Sequence, residues 1–453
     1  MSATQTGIGD EISLASLCSY SLASKSETVF RRLLTAKNIK FMAFRAQTVK
    51  DLGAKLGHQN RRSAPSGREL RGAAMTVLPS KEEFAAIQKG YSPNASRSLS
   101  LHKDAYVDPR WHAIDLKEII AKTWQWVCHV EKVRTPGSYV TVDIAGQPIA
   151  VVRDREGVLR AFYNVCKHRA HELLTGEGNT TRIMCPYHAW TYKLDGQLVR
   201  APHTETLEEF NTKEICLDQV QVEEFCGFIY VNLDPSAASL RAQTGDLETE
   251  IRHWAPDIEK LTFAKRLTYD IKSNWKNVVD NFLECYHCPT AHKDFCTLVD
   301  MDTYKVTTHG IYSSHMADAG KNANSAYDVS NATVTTHAVW WLWPNTCIMR
   351  YPGRSSMIIL NIIPAGPDRT LETYDFFLED TNPNEMELQT IKYLDEVLQV
   401  EDIKIVESVQ KGMNTPAFTQ GRIVNDPDGS GQSEHAVHHF HGLVLEAYAK
   451  SAP

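Results

Sequence analysis

Within 23 residues the chain sets Cys166 two before His168 and Cys185 three before His188, with sixteen residues between the two halves. Each half offers one thiolate and one imidazole from a short turn. A zinc finger pairs Cys with Cys and His with His, as C-x2–4-C and H-x3–5-H; here each half mixes the two. Two Cys on one iron and two His on the other is the ligand set of a Rieske [2Fe–2S] centre. Neutral imidazoles in place of two thiolates lower the cluster's negative charge. They raise its potential from about −400 mV to about −150 to +300 mV. Such a pair of turns constrains the fold, because strands must bring two loops into one cradle.

The surrounding sequence supplies strands. From about Ala105 to Ser236 it reads as strands and turns, with β-rich runs at Tyr139–Val142, Pro148–Val152, Val158–Tyr163 and Gly227–Val231. Asp154-Arg155-Glu156-Gly157 is a polar turn between the second and third. Residues 75–236 therefore read as an N-terminal segment with a small all-β cluster domain. From 237 to 453 the signals mix. Trp275–Tyr286 carries apolar residues at helical spacing, Ser356–Ile363 and Leu371–Leu378 read as strands, and Glu385–Met413 reads as one long helix. The fold class expected is α+β, the second domain pairing an antiparallel sheet with long helices.

A second constellation lies about a hundred residues after the first. The stretch NWKNVVDNFLECYHCPTAH holds Glu284, His287 and His292. Spacing three apart puts Glu284 and His287 on one helix face. Pro289 must kink or end that helix and swing His292 back toward His287. Two His and one carboxylate on one face of a metal, with open positions, suit a non-haem Fe(II) oxygenase. The flanking Cys285 and Cys288 leave zinc as the competing reading. The third ligand is expected to be a carboxylate far downstream.

Composition narrows the rest. A net charge of −7 argues against a nucleic-acid partner, and no apolar run is long enough to span a bilayer. Ten cysteines are too few for a disulfide scaffold, so most should be buried apolar groups or metal ligands in a reducing compartment, the cytoplasm. Residues 1–74 stand apart, with 12 Lys/Arg against 5 Asp/Glu. They read as a disordered basic extension upstream of a start at Met75. A transit peptide is the lesser alternative, since its five acids are unusual for one.

The run AFYNVCKHRAHELLTGEGNTTRIMCPYHAWTYKLDGQL resembles, motif for motif, the Rieske domain of Rieske non-haem iron oxygenases. That family usually has Gly after His-Arg; Ala170 here is expected to crowd the loop slightly. The resemblance runs from about Leu101 to Ala449. It implies that Cys166, His168, Cys185 and His188 hold the cluster and that His287 and His292 hold the iron. VEDIKIVESVQKGM resembles the ligand-bearing helix, which implies Asp402 as third ligand with Glu401 and Glu407 as rivals. Glu284 matches the acid that bridges toward the cluster of a neighbouring subunit, and the family's ring-shaped trimers imply a homotrimer. Within the family the chain looks most like members that oxidise carnitine or choline, beside a trimethylammonium nitrogen.

The function implied is that of an oxygenase component, a monooxygenase using O2 and electrons. No G-x-G-x-x-G follows a strand, so NADH or NADPH is expected to act through a separate flavin and iron–sulfur reductase. A permanent cation needs aromatic faces and carboxylates. Trp340, Trp341, Trp343, Tyr374, Phe376 and Phe377 are candidate walls; Arg350, Arg354 and Arg422 are candidates for a substrate carboxylate. The competing enzyme reading is an aromatic-ring dioxygenase. A Rieske-type electron carrier is argued against by length and by the second constellation.

Overall fold

The computed structural model describes residues 78–321 and 324–452. The expectations for residues 1–74 lie outside the described residues. The cluster-bearing half is built on a seven-stranded antiparallel sheet. Its order is Gln125–His129, Phe228–Asn232, Gln219–Phe225, Leu159–Tyr163, Gln147–Arg153, Ser138–Ile144 and Glu177–Asn179. A three-stranded sheet, Ile183–Met184, Thr191–Tyr192 and Leu198–Arg200, is set beside it. The polar turn joins the expected strands. Buried Asp154 accepts the Val158 amide at 2.7 Å and Arg160 Nε at 2.6 Å, which pins the reversal.

The start of the region read as strands and turns is helical instead, through Asp104–Val107, Pro109–Ile114 and on to Lys122. Asp108 caps the second helix and Pro109 opens it, a start signal that the strand reading passed over. This segment packs on the catalytic half. Trp111 lies 4.8 Å from Tyr448, and buried Asp115 accepts Trp275 Nε1 at 3.0 Å and Tyr448 Oη at 2.7 Å. Lys276, also buried, pairs with the same carboxylate. One buried acid with three donors thus anchors the helix that leads to the second constellation.

The catalytic half centres on a second seven-stranded antiparallel sheet. Its order is Thr262–Ile271, Arg369–Leu378, Ser356–Gly366, Thr346–Arg350, Thr336–Leu342, Tyr312–Asp318 and Lys305–His309. Both faces are buried, and the two-residue period divides them. Trp340, Ile348, Met357, Ile359 and Phe377 join a cluster with Trp126, Phe228 and Tyr230 of the first half. Trp341, Cys347, Met349, Ile358, Leu360 and Phe376 join the main core. That core is shared with helices α1 (Trp275–Phe282), α2 (Gln399–Met413) and α3 (His435–Ala449).

Two helical expectations need correction. Helix α1 ends at Phe282, and Pro289 opens a separate short helix, Cys288–Ala291. Glu284 and His287 therefore sit in the connection rather than on one helix face. The long helix over Glu385–Met413 contains a π-helical turn at Leu394–Leu398. That wider turn breaks the 3.6-residue register, so Leu388 and Val409, expected on the apolar face, are exposed. The turn immediately precedes α2 and aims its first residues at the core.

Candidate metal centres and substrate cavity

The two cluster loops are built alike. In one, the Cys166 amide donates to His171 O at 2.9 Å and the Ala170 amide to Cys166 O at 3.0 Å. In the other, the Cys185 amide donates to Trp190 O at 2.8 Å and the Ala189 amide to Cys185 O at 3.0 Å. Both thiols are buried and within hydrogen-bond reach of each other, while both imidazoles are exposed. The Nδ1 atoms of His168 and His188 converge to 3.2 Å. His168 stacks on Trp190 and His188 on Tyr187. Two converging thiols and two converging ring nitrogens fit a [2Fe–2S] cluster with its imidazole edge turned outward.

Ala170 and Ala189 take the same tightening position in their loops, at φ +55° and +56°. The departure at Ala170 is thus one of backbone, not of crowding. An alanine in the left-handed region is disfavoured by roughly 1–2 kcal/mol. Ala170→Gly is expected to raise stability by about 1 kcal/mol with an unchanged cluster spectrum, read by thermal melting.

Tyr192 went unnoticed in the sequence. Its hydroxyl accepts the Lys167 amide at 3.0 Å and so directs its proton to Cys166 Sγ, at 3.3 Å. A donor to a ligand sulfur stabilises the more negative, reduced cluster. Tyr192→Phe is expected to lower the cluster potential by about 40 mV, which is roughly 1 kcal/mol for one electron. Redox titration followed by absorbance would measure it, and an unchanged potential would refute the assignment.

In the catalytic half, one ligand atom from each of His287, His292 and Asp402 lies within 4.8 Å of the other two. Asp402 Oδ1 is 2.9 Å from His292 Nε2 and 3.7 Å from His287 Nε2. The other ring nitrogens are held by glutamates. Glu284 Oε1 lies 2.6 Å from His287 Nδ1, and Glu401 Oε2 lies 2.8 Å from His292 Nδ1. Such outer partners fix the tautomer and leave Nε2 free for metal. Glu401, a rival for the ligand position, is thus placed behind His292. Glu407, the other rival, is turned to the Lys272 amide at 3.1 Å. Cys285 and Cys288 are bonded to each other across His287, so neither offers a free thiolate. Two imidazoles and one carboxylate fit Fe(II) with open positions.

These groups open onto a cavity between α1, α2 and the sheet. Tyr304, Tyr351, Tyr374, Phe282 and Phe295 supply aromatic wall, and Asn281, His315, His337 and Glu372 supply polar atoms. Burial pushes the His315 and His337 imidazoles down to about 3, so both are neutral. Of the six aromatic candidates only Tyr374 lines the cavity. Trp340 and Phe377 point to the opposite sheet face, and Trp341 and Trp343 pack on Phe440 of α3. Phe376 is in the core outside the lining. None of the three arginine candidates reaches it: Arg350 pairs with Asp257, Arg354 with Glu379, and Arg422 with the carbonyls of Ser96 and Arg97.

A one-electron carrier joined to an open non-haem iron site defines a class, the oxygenase components of Rieske oxygenases. The chain belongs to this family: residues 123–211 match the Rieske [2Fe–2S] domain and residues 258–450 the ring hydroxylating alpha subunit (catalytic domain). It is 35% identical over 364 residues to the carnitine monooxygenase oxygenase subunit of Escherichia coli K12, covering 80% of this chain and 97% of that one. It is 31% identical to the chloroplastic choline monooxygenase of Amaranthus tricolor, over 74% and 75% of the two chains. A solved quaternary ammonium Rieske monooxygenase, described for carnitine oxidation and inter-subunit electron transfer, superposes with TM-score 0.73. That comparison has 31% identity over 82% of this chain and 99% of the other. The protein is thus a Rieske-type monooxygenase component that works with O2 and a reductase partner. Among the described residues no helix is long and apolar enough to cross a membrane.

Proposed function

We propose that the protein hydroxylates a carbon beside the nitrogen of a small trimethylammonium compound, of the carnitine, choline or betaine type. The observation that carries this reading is the charge of the cavity. Glu284, Glu372 and Asp402 line it, and among the described residues no Lys or Arg does. Three tyrosines add the electron-rich faces that attract a cation. An anionic aromatic acid would find no counter-charge there. A zwitterion's carboxylate would meet neutral donors such as Asn281 and His337, whose Nδ1 has no partner within the protein.

In this reading Cys166, His168, Cys185 and His188 hold the cluster, and His287, His292 and Asp402 hold Fe(II). When bound, the cluster supplies single electrons and the iron activates O2. Glu284 and Glu401 orient the two imidazoles, and the aromatic wall positions the methylated nitrogen. Insertion of one oxygen gives a carbinolamine, which collapses to an aldehyde and trimethylamine. The other oxygen leaves as water, at the expense of two electrons and two protons. The reductase is of the flavin and iron–sulfur type, the assembly is a homotrimer with transfer between subunits, and the compartment is the cytoplasm.

The test is NADH- and O2-dependent consumption of carnitine, choline, glycine betaine and benzoate by iron-loaded protein with a compatible reductase, with products followed by mass. One oxygen inserted into one quaternary amine supports the reading. A dihydrodiol from benzoate with no amine turnover would replace it with the ring-dioxygenase reading.

A further inference from the structure

Glu372 is a buried carboxyl group on the cavity wall that neither metal constellation uses. It lies in the strand Arg369–Leu378, is 2% exposed, and borders the same cavity as His287, His292 and Asp402. Its hydrogen-bond partner among the described residues is Gln399 Nε2, the first residue of α2. Gln399 is held in turn by Tyr374, whose hydroxyl donates to its Oε1 at 2.7 Å. Gln399 and Tyr374 are themselves buried and line the cavity. A side-chain amide fixed at its oxygen presents its N–H to the carboxylate, so the chain positions the acid.

The acid lacks a counter-ion. On its own strand it neighbours Tyr374, and on the paired strand Tyr269 stands opposite. From α2 it meets Gln399 and the charge of Asp402, and from the strand Thr346–Arg350 it meets Cys347. None of these is a cation. Burial, reinforced by Asp402, pushes the Glu372 carboxyl up to about 8. Buried acids are ordinarily paired or neutralised. With Fe(II) offsetting Asp402 and Glu284, Glu372 is the carboxylate left for a ligand to balance.

We propose that Glu372, positioned by Gln399 and Tyr374, is the residue that selects a permanently cationic substrate over a neutral one of the same shape. This rests on the trimethylammonium reading above and adds the group that enforces it. Tyrosine faces alone favour a cation only modestly, whereas a buried carboxylate makes an uncharged isostere leave an unpaired charge behind.

The experiment compares choline with 3,3-dimethylbutan-1-ol, its neutral carbon isostere, and L-carnitine with the corresponding isostere. Binding is measured by calorimetry on the iron-loaded protein without reductase, and turnover in the complete system. Wild type is expected to favour at least one cation by about tenfold or more, the range of a close buried charge contact. Glu372→Gln keeps the shape and an acceptor for Gln399, and should bring cation and isostere within about threefold of each other. Glu372→Asp, which keeps the charge, should restore part of the preference. Cluster absorbance and iron content serve as controls for the fold. A Glu372→Gln protein that still prefers the cation as wild type does overturns the assignment of Glu372 and leaves the substrate class standing. A wild type that neither binds nor oxidises a cation overturns both.

Discussion

Replacing Asp402 by alanine is expected to abolish product while leaving the Rieske cluster spectrum intact. Asp402 Oδ1 is the one carboxylate oxygen grouped with the two imidazoles, 2.9 Å from His292 Nε2 and 3.7 Å from His287 Nε2. Two neutral imidazoles hold Fe(II) poorly without an anion. The loss in iron affinity should therefore exceed the roughly 10–100-fold that attends removal of an outer hydrogen-bond partner. Glu401→Gln supplies that comparison. It loosens the grip on His292 Nδ1 and should weaken iron by about 10–100-fold while sparing some turnover. The cluster belongs to a different sheet with its own core, so its absorbance should not move in either variant. Iron content per cluster and product by mass are the readings. Wild-type turnover in Asp402→Ala would sink the ligand assignment. Equal losses in both variants would mean that Glu401 shares the metal.

How much of the molecule was legible in the sequence depended on how local the information is. The cluster loops are short turns whose ligands lie two and three residues apart, so type and spacing alone point to the chemistry. Alternation marked the strands around them for the same reason. Asp402 lies 110 residues from His292, and only the family resemblance singled it out from Glu401 and Glu407. The π-helical turn at Leu394–Leu398 explains why periodicity misleads there, since one wide turn re-aims every residue after it. The cavity wall was the least legible part. A run such as Trp340-Trp341-Leu342-Trp343 is rich in aromatic side chains, yet strand alternation sends Trp340 and Trp341 to opposite faces. Neither reaches the cavity, because both faces of that sheet are covered. Tyr304 and Tyr351, which do line it, sit at loop positions beyond strand ends. Hydrophobic pattern does not rank such positions.

Glu284 is expected to give the other large effect, and its variants separate two roles. Its carboxylate accepts the amides of Tyr286 and His287 and lies 2.6 Å from His287 Nδ1, so it sets the orientation of one candidate iron ligand. It also lines two hollows at once. One is the substrate cavity, and the other is an outer groove that it shares with Asp280, Glu434 and His441. A residue standing between them is suited to link the iron to a cluster docked from outside, as the resemblance implies. Glu284→Ala removes both roles. Product should fall by at least about 100-fold, with iron weakened by about 10–100-fold for want of the partner on His287. Glu284→Gln keeps an acceptor for His287 Nδ1–H but carries no charge. Iron should therefore be largely retained while electron delivery fails. The decisive reading is a single turnover from the pre-reduced protein with substrate and O2, tracking the return of the oxidised cluster spectrum. Slow cluster reoxidation at normal iron content assigns Glu284 to the electron path. Normal reoxidation in Glu284→Gln, with loss confined to Glu284→Ala, would reduce its part to holding His287.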